Sequence, residues 1–464
     1  MRLHPWTIAI GFLLLIGISA SAYPPEGPMN DGANAWVWGD MQTARQKFTE
    51  ATHDSKTRVN ATYNLGYLHL WEGQLDSAKA LMTRALEIDS NFAPAHFELG
   101  KMALEEGKVV AAEDHLQQAT SIPTAAFRVW QILGEAKLAL GDTAGAMDAF
   151  AKALDLHPDY HASLESLAQI SLARADTAGA LTLLSKACHV APAPAAYEKY
   201  LAVLKLTGKT ALADSVAKVY LFWYPEQNRY SIESTHTMNP LFPVGEQTRF
   251  SVGWEFIKLG SAALSITGWE SFNGYNLLRL HIKVESSPLV MVINVDDIYD
   301  ALIDPLTGIC HQFYFHMNST GIDLIGCWNY YYDDQEYISR TVVGDGYIYG
   351  IRKRLPARVT DGPSLIYHFR YMVNSGSPGH VIFVLEDEYQ SGDLYPSTEK
   401  KKYKVGDTRL NTFKYIGNLS GRGIVGLSGT FSAWFSKVPG PLLVRAEAKI
   451  FLGSARIWLA DYSP

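Results

Sequence analysis

At 464 residues the chain is longer than one hydrophobic core can organise, so two or three domains are expected. An apolar content of 47% with 19% charged residues excludes a disordered tail, and a net charge of −7 without a long basic stripe argues against a nucleic-acid partner. The 25 Tyr and 11 Trp gather in the second half, which suits a sheet protein.

The N-terminus carries Arg2, an apolar stretch from Ile8 to Ile18, and Ala20-Ser21-Ala22 ahead of Tyr23-Pro24-Pro25. A positive start, a short apolar core and small residues at the cut are the order of a secretory signal. The core is about a dozen residues, against roughly 20 for a membrane-crossing helix. Residues 1–22 therefore read as a signal peptide cut after Ala22, with retention as an N-terminal anchor the competing reading. No Cys stands near the cut, and no later segment is long and apolar enough to span. The expectation is a soluble, exported, periplasmic protein.

A period of 34 follows: Leu65-Gly66, Leu99-Gly100, Leu133-Gly134 and Leu167-Ala168, with Leu201-Ala202 continuing the series. Alanines keep the same beat at 78, 112, 146 and 180 and again at 85, 119, 153 and 187; one period back lie Ala44, Phe48 and Ala51. Gly73, Gly107 and Gly141 fall between the halves of a unit, and Pro158 and Pro192 close two units. A small residue beside the Leu lets two helices approach closely, and the alanines seat the second helix on its neighbour. Residues 31–222 resemble the tetratricopeptide repeat, an α-solenoid of stacked helical hairpins.

In that resemblance the inner groove is lined from positions two before and two after the repeating Leu. Here these are Tyr63 and Tyr67, Phe97 and Lys101, Gln131 and Glu135, Glu165 and Gln169, then Lys199 and Val203. The set is aromatic at one end and mixed in charge in the middle, unlike the Lys, Arg and Asn cluster that grips a chaperone's terminal carboxylate. It implies either a peptide or protein partner of another kind, or a groove that is solvated or packed on the chain's own second half.

A proline-punctuated linker, 223–242, ends the beat, and a period of two begins. In 261–267 Ala262, Leu264 and Ile266 share a face; in 278–285 Leu278, Leu280, Ile282 and Val284 alternate with Arg279, His281, Lys283 and Glu285. Residues 308–317 alternate and reverse into 322–334, and further strands are expected at 381–389, 408–416 and 429–436. Residues 363–373 read as one short helix with Leu365, Phe369 and Met372 along one side. The run Lys400-Lys401-Lys402 with Lys404 reads as a solvated, exposed strand edge. The fold expected for 243–464 is an antiparallel β-sheet with one helix.

Three stretches, "VGEQTRFSVGWEFIKLGSAALSI" (244–266), "DGPSLIYHFRYM" (361–372) and "AWFSKVPGPLLVRAEAKIFLGSARIWL" (433–459), resemble the bacterial domain of unknown function 3108. The matching residues are Gly245-Glu246, Gly260, Ser364-Leu365, Arg370, Trp434, Ser436, Pro441 and Gly453. The resemblance implies an envelope protein with a half-barrel similar to outer-membrane lipoprotein carriers. This chain departs from the family at Lys437-Val438-Pro439-Gly440, where acidic residues and an Arg are usual.

In 442–450 Val444, Ala446, Ala448 and Ile450 face one way and Arg445, Glu447 and Lys449 the other. The small dry face suits either a tightly bent sheet or, together with Leu264, Ile266, Leu280, Ile282 and Val284, an open pocket for a lipid or other apolar ligand. The function expected is a non-catalytic envelope protein that docks a protein through its repeats and binds such a ligand in the half-barrel. The alternative is a protein–protein scaffold with a filled β core.

Catalytic and metal sites are not expected, nor is a cofactor. Gly421 to Gly426 spells a dinucleotide fingerprint, yet strand-like residues follow it; Ser428 lacks the glycine spacing of a nucleophile elbow. Asp296, Asp297, Asp300 and Asp304 read as turn carboxylates rather than a calcium loop, and His311 and His316 fall on opposite strand faces. Cys188, Cys310 and Cys327 leave at least one thiol unpaired, with a Cys310–Cys327 bridge and two separate thiols both open.

Overall fold

The computed structural model describes residues 27–463 apart from 121–125, 192, 225–240, 255–256, 288–293, 320–321, 345, 357–358, 363, 377–378, 386, 420–428, 438–439 and 451–452. The expected signal segment and most of the linker lie outside the described residues. Two compact units result: the repeats to residue 225 together with 345–349, and the remainder from 226 onward.

Twelve helices are described in the first unit: α1 (Pro28–Trp38), α2 (Met41–Ala51), α3 (Arg58–Trp71), α4 (Leu75–Ile88), α5 (Ala93–Glu105), α6 (Val109–Ala119), α7 (Ala126–Ala139), α8 (Thr143–Leu156), α9 (His161–Ala173), α10 (Thr177–Val190), α11 (Pro194–Leu206) and α12 (Thr210–Trp223). They pair as hairpins for the reasons the sequence suggests. A Cβ on Gly134 would lie 2.5 Å from Phe150 Cε1, and one on Gly100 2.7 Å from Leu116 Cγ. The eight beat alanines from Ala78 to Ala187 are fully buried. Each hairpin turn needs a left-handed residue, supplied by Gly39, Gly73, Gly107 and Gly141 at φ between 74 and 81°. Asp40, Asp142 and Asp176 cap the helices that follow, each accepting from a backbone N–H three residues on.

The expected continuation at Leu201-Ala202 is corrected. Ala202 is exposed, whereas Val203 and Leu204 are buried. The left-handed glycine is Gly208 and the buried alanine of the second helix is Ala213, each one place ahead of the 34-residue beat. Pro194 opens α11, and its cap Ala193 stands 33 positions after Tyr160, the cap of α9. The last hairpin has slipped by one residue.

Among the described residues fifteen strands form one sheet. Its strands are β1 (Gln247–Trp254), β2 (Ile257–Phe272), β3 (Tyr275–Ser286), β4 (Asp296–Ile303), β5 (Cys310–Ser319), β6 (Ile322–Tyr331), β7 (Glu336–Val343), β8 (Tyr347–Arg354), β9 (Thr360–Asp361), β10 (Gly379–Leu385), β11 (Glu388–Val405), β12 (Thr408–Leu419), β13 (Gly429–Ser436), β14 (Leu442–Ile450) and β15 (Gly453–Ser463). The order is β8-β7-β6-β5-β4-β3-β2-β1-β15-β14-β13-β12-β11-β10-β9. The first strand pairs antiparallel with the last, while β9 joins β10 in parallel. The described strands do not close into a barrel, as the half-barrel expectation requires. The expected strand at 381–389 is instead two, split by a turn with Asp387 at φ 60°. The short helix is α13 (Leu365–Ser375).

Candidate functional site

The repeat groove is the first candidate. At its aromatic end Tyr63 and Tyr67 are buried, with Tyr67 5.8 Å from Trp36 and Tyr63 5.5 Å from Phe92. Beside them Asn64, wholly buried, donates from Nδ2 to Gly346 O at 2.8 Å and accepts from Ile348 N at 3.0 Å. Tyr347 meets Tyr63 edge-on at 6.2 Å. This end of the groove is filled by the unit's own residues 346–348, and burial pushes the Tyr63 phenol well above its ordinary value.

The middle is polar and interlocked. Gln131 accepts from Ser163 Oγ at 2.6 Å and donates to Ser166 Oγ at 3.0 Å and Glu135 Oε1 at 2.9 Å. Glu165 accepts from Lys199 Nζ at 2.9 Å and meets His161 Nδ1 at 3.0 Å. Burial opposes the charge on Glu165, but His161 and Lys199 outweigh it and hold its carboxyl below the usual range. Phe97 is half-buried, with Lys101 Nζ 5.2 Å from its ring centre. Glu135 and Gln169 are exposed. The arrangement fixes buried hydrogen-bonding groups and leaves Glu135 and Gln169 exposed beside them.

The second candidate is the aliphatic face of the sheet. Leu264 lies opposite Ile282 and Ile266 opposite Leu280, all four buried, while Val284 is half-buried. The same face continues through Tyr299 and Ala301 into Phe313 and Phe315. Tyr299 stacks on Phe313 at 5.8 Å; Trp328 lies 5.2 Å from both Phe313 and Phe315; Tyr330 meets Tyr337 at 5.4 Å. Rings make up this end of the face.

Val444 and Ala448 are buried and Ala446 is half-buried; nothing is described for the Ile450 side chain. A bulge beside Trp434 sets Val444 out of register. Ala448 lies opposite Phe431, which meets Phe369 of α13 at 6.0 Å. Ala448 therefore sits where a helix packs beside the strand, a third outcome beside the bent sheet and the pocket.

Three of the residues that carry the family resemblance, Glu246, Arg370 and Pro441, meet at a different point. Arg370 is buried against Glu246 and Pro441, and Gly245, at φ 98°, turns the chain into β1. Ser364 N donates to Asp361 Oδ1 at 2.7 Å.

Among the described residues no group of three His, Cys, Asp or Glu could hold a metal. Asp297 accepts from Asn318 N and Ser319 Oγ, Asp304 from the backbone and hydroxyl of Thr307, and Asp300 meets His281. The three cysteines are free thiols. Register sets Cys327 opposite Tyr314, not opposite Cys310. Residues 421–426 and Ser428 lie outside the described residues.

Sequence reasoning missed Asn64, Ser163 and Ser166. The only local signal was polarity on a helix face that the beat marks as buried.

Family models of the tetratricopeptide repeat match residues 63–126 and 127–170, so this stretch is tetratricopeptide repeat. No curated protein matches the chain. Among solved structures the chain is similar to MamA, at 20% identity over 34% of this chain and 91% of that one, with a TM-score of 0.30. It is also similar to Pseudomonas aeruginosa pilF, at 18% identity over 44% of this chain and 93% of that one, TM-score 0.38. A third is PilW, a type IV pilus biogenesis factor, at 14% identity over 43% and 93%, TM-score 0.37.

Proposed function

We propose that the chain is a non-catalytic interaction scaffold whose repeats dock a protein partner. Its β unit is a half-barrel of the envelope type, filled by its own side chains. The observation that carries the reading is the network of Gln131, Ser163, Ser166, Glu165 and Lys199, which fixes hydrogen-bonding groups along successive first helices of the repeats. The network holds these helices in place, so the exposed Glu135 and Gln169 beside it are presented in fixed positions, which lowers the ordering cost of binding a peptide. Export to the envelope belongs to the same proposal and rests on the leader pattern and the resemblance of the second half.

The rival reading, a lipid or other apolar ligand on the aliphatic face, needs open space beside Leu264 and Ile282. Tyr299, Phe313, Phe315 and Trp328 stand along that layer. The filled core is therefore preferred.

A photo-crosslinker placed in the full chain at Glu135 or Gln169 should capture one defined protein. The same probe at Arg84, exposed on a second helix, should not. Equal capture at all three sites rejects the groove. Organic extraction of the purified chain followed by mass spectrometry should yield no stoichiometric amphiphile; finding one restores the carrier reading.

A further inference from the structure

Strands β11 and β12 run on past their neighbours. β10 pairs with β11 only as far as Leu394, and β13 takes up β12 only from Thr412. Beyond these limits residues 402–405 and 408–411 pair, among the described residues, with each other alone, as a two-stranded ribbon turning at Gly406-Asp407. A ribbon with no further strand on either side is marginal in water.

The two faces of this ribbon differ in charge. On one, Lys401 and Lys414 each meet Glu399 at 2.8 Å, and Arg445, over the Tyr403 ring, meets Glu447 at 3.2 Å. That face is neutralised. On the other, Lys404 lies opposite Arg409, Lys402 opposite Asn411 and Lys400 opposite Phe413. Lys400 and Lys437 approach the Phe413 ring at 5.2 and 5.3 Å. Lys400, Lys402, Lys404, Arg409 and Lys437 are exposed and have no carboxylate partner among the described residues.

Like charges placed directly opposite on two strands destabilise the pair. The chain thus holds a repulsive Lys404–Arg409 pair on a ribbon without flanking strands among the described residues, although its net charge is −7. An anion held against the face would relieve that repulsion.

We propose that this ribbon face docks on an anionic lipid surface. The cations lie on one side of a two-stranded ribbon, which suits a sheet of headgroups better than a peptide that needs a groove. Clusters of four to eight Lys or Arg are the usual composition for attraction to acidic lipids. Lysines also guard strand edges against aggregation, and that role alone predicts no vesicle binding.

The full chain should sediment with vesicles of phosphatidylglycerol and phosphatidylcholine in equal parts, and not with phosphatidylcholine alone. Binding should weaken with salt. The Lys402→Gln/Lys404→Gln/Arg409→Gln variant should bind about 100-fold more weakly, with an unchanged circular dichroism spectrum. Lys401→Gln, on the neutralised face, should change binding far less. Equal binding by the triple variant, or no binding by the natural chain, overturns the proposal. So does binding to polyglutamate without binding to vesicles.

Discussion

Arg370 and Glu246, 124 positions apart, form a buried pair in which Arg370 Nη2 donates to Glu246 Oε2 at 2.8 Å. Arg370 Nε donates to the Pro441 carbonyl at 2.6 Å, and the guanidinium lies 5.0 Å from the rings of Phe242 and Tyr367. One side chain of α13 thereby ties the start of β1 to the start of β14. Burial works against the Arg370 charge, but Glu246 outweighs it and raises its pKa.

Removing one member of such a pair strands the other in an apolar site. Arg370→Met is expected to cost about 3–5 kcal/mol. The double variant Glu246→Gln/Arg370→Met should recover part of that loss, since no unpaired charge remains. Urea unfolding of both variants checks the order; an Arg370→Met chain as stable as the parent would show that the tie carries no load.

Ala175 occupies the turn position that Gly39, Gly73, Gly107 and Gly141 hold in the other hairpins, and it sits at φ 59°. A left-handed conformation costs a residue with a Cβ about 1–2 kcal/mol. Glycine avoids that strain but gains freedom in the unfolded chain. The net expectation for Ala175→Gly is about 0.5–1 kcal/mol of added stability, read as a higher midpoint in urea. The same change at Ala153, fully buried within α8, should destabilise.

The repeats were legible because their constraints are local. A glycine beside a leucine or an alanine at a helix crossing reports its own environment within a few residues. The slip at the last hairpin was hidden because Leu201-Ala202 keeps the beat in letters, while Pro194 starts α11 one position early. Asn64 was missed for the opposite reason, since its partner lies 282 positions away. In the sheet, a period of two told which residues share a face, and not what covers it. The rings that extend the face of Leu264 and Ile282 come from β4 to β6, and the ring beside Phe431, opposite Ala448, comes from α13.

Thiol titration tests the state of the cysteines. Cys310 and Cys327 are buried, and burial pushes Cys327 up to about 12 and Cys310 well above its ordinary value. Cys188 is raised for the same reason. Since the thiolate is the reactive form, a native sample should react slowly with an aromatic disulfide reagent. After unfolding in denaturant without reductant, three thiols should appear. One thiol instead of three would mean that Cys310 and Cys327 are bridged.

Acid sensitivity should be traceable to His311. Its ring lies between Tyr275 and Tyr332 at 4.9 and 5.0 Å, Nε2 has no hydrogen-bond partner among the described residues, and burial pushes its pKa down to about 3. The unfolded chain takes up this proton near pH 6.5, roughly the free value, and the folded chain only near pH 3. Between those limits the unfolded state binds more protons, so stability falls as the pH falls, by at most about 1.4 kcal/mol per unit. His316 and His380, raised by Asp323 and Asp393, act in the opposite sense and lose stability as the pH rises. Their side chains are 38% and 62% exposed, so solvent screens both effects. His311→Phe keeps a flat ring between the two tyrosines and removes the titration. The loss of stability between pH 7.5 and 4.5 should then shrink by about 2 kcal/mol in urea unfolding; an unchanged loss would mean that His311 already carries its proton in the folded chain.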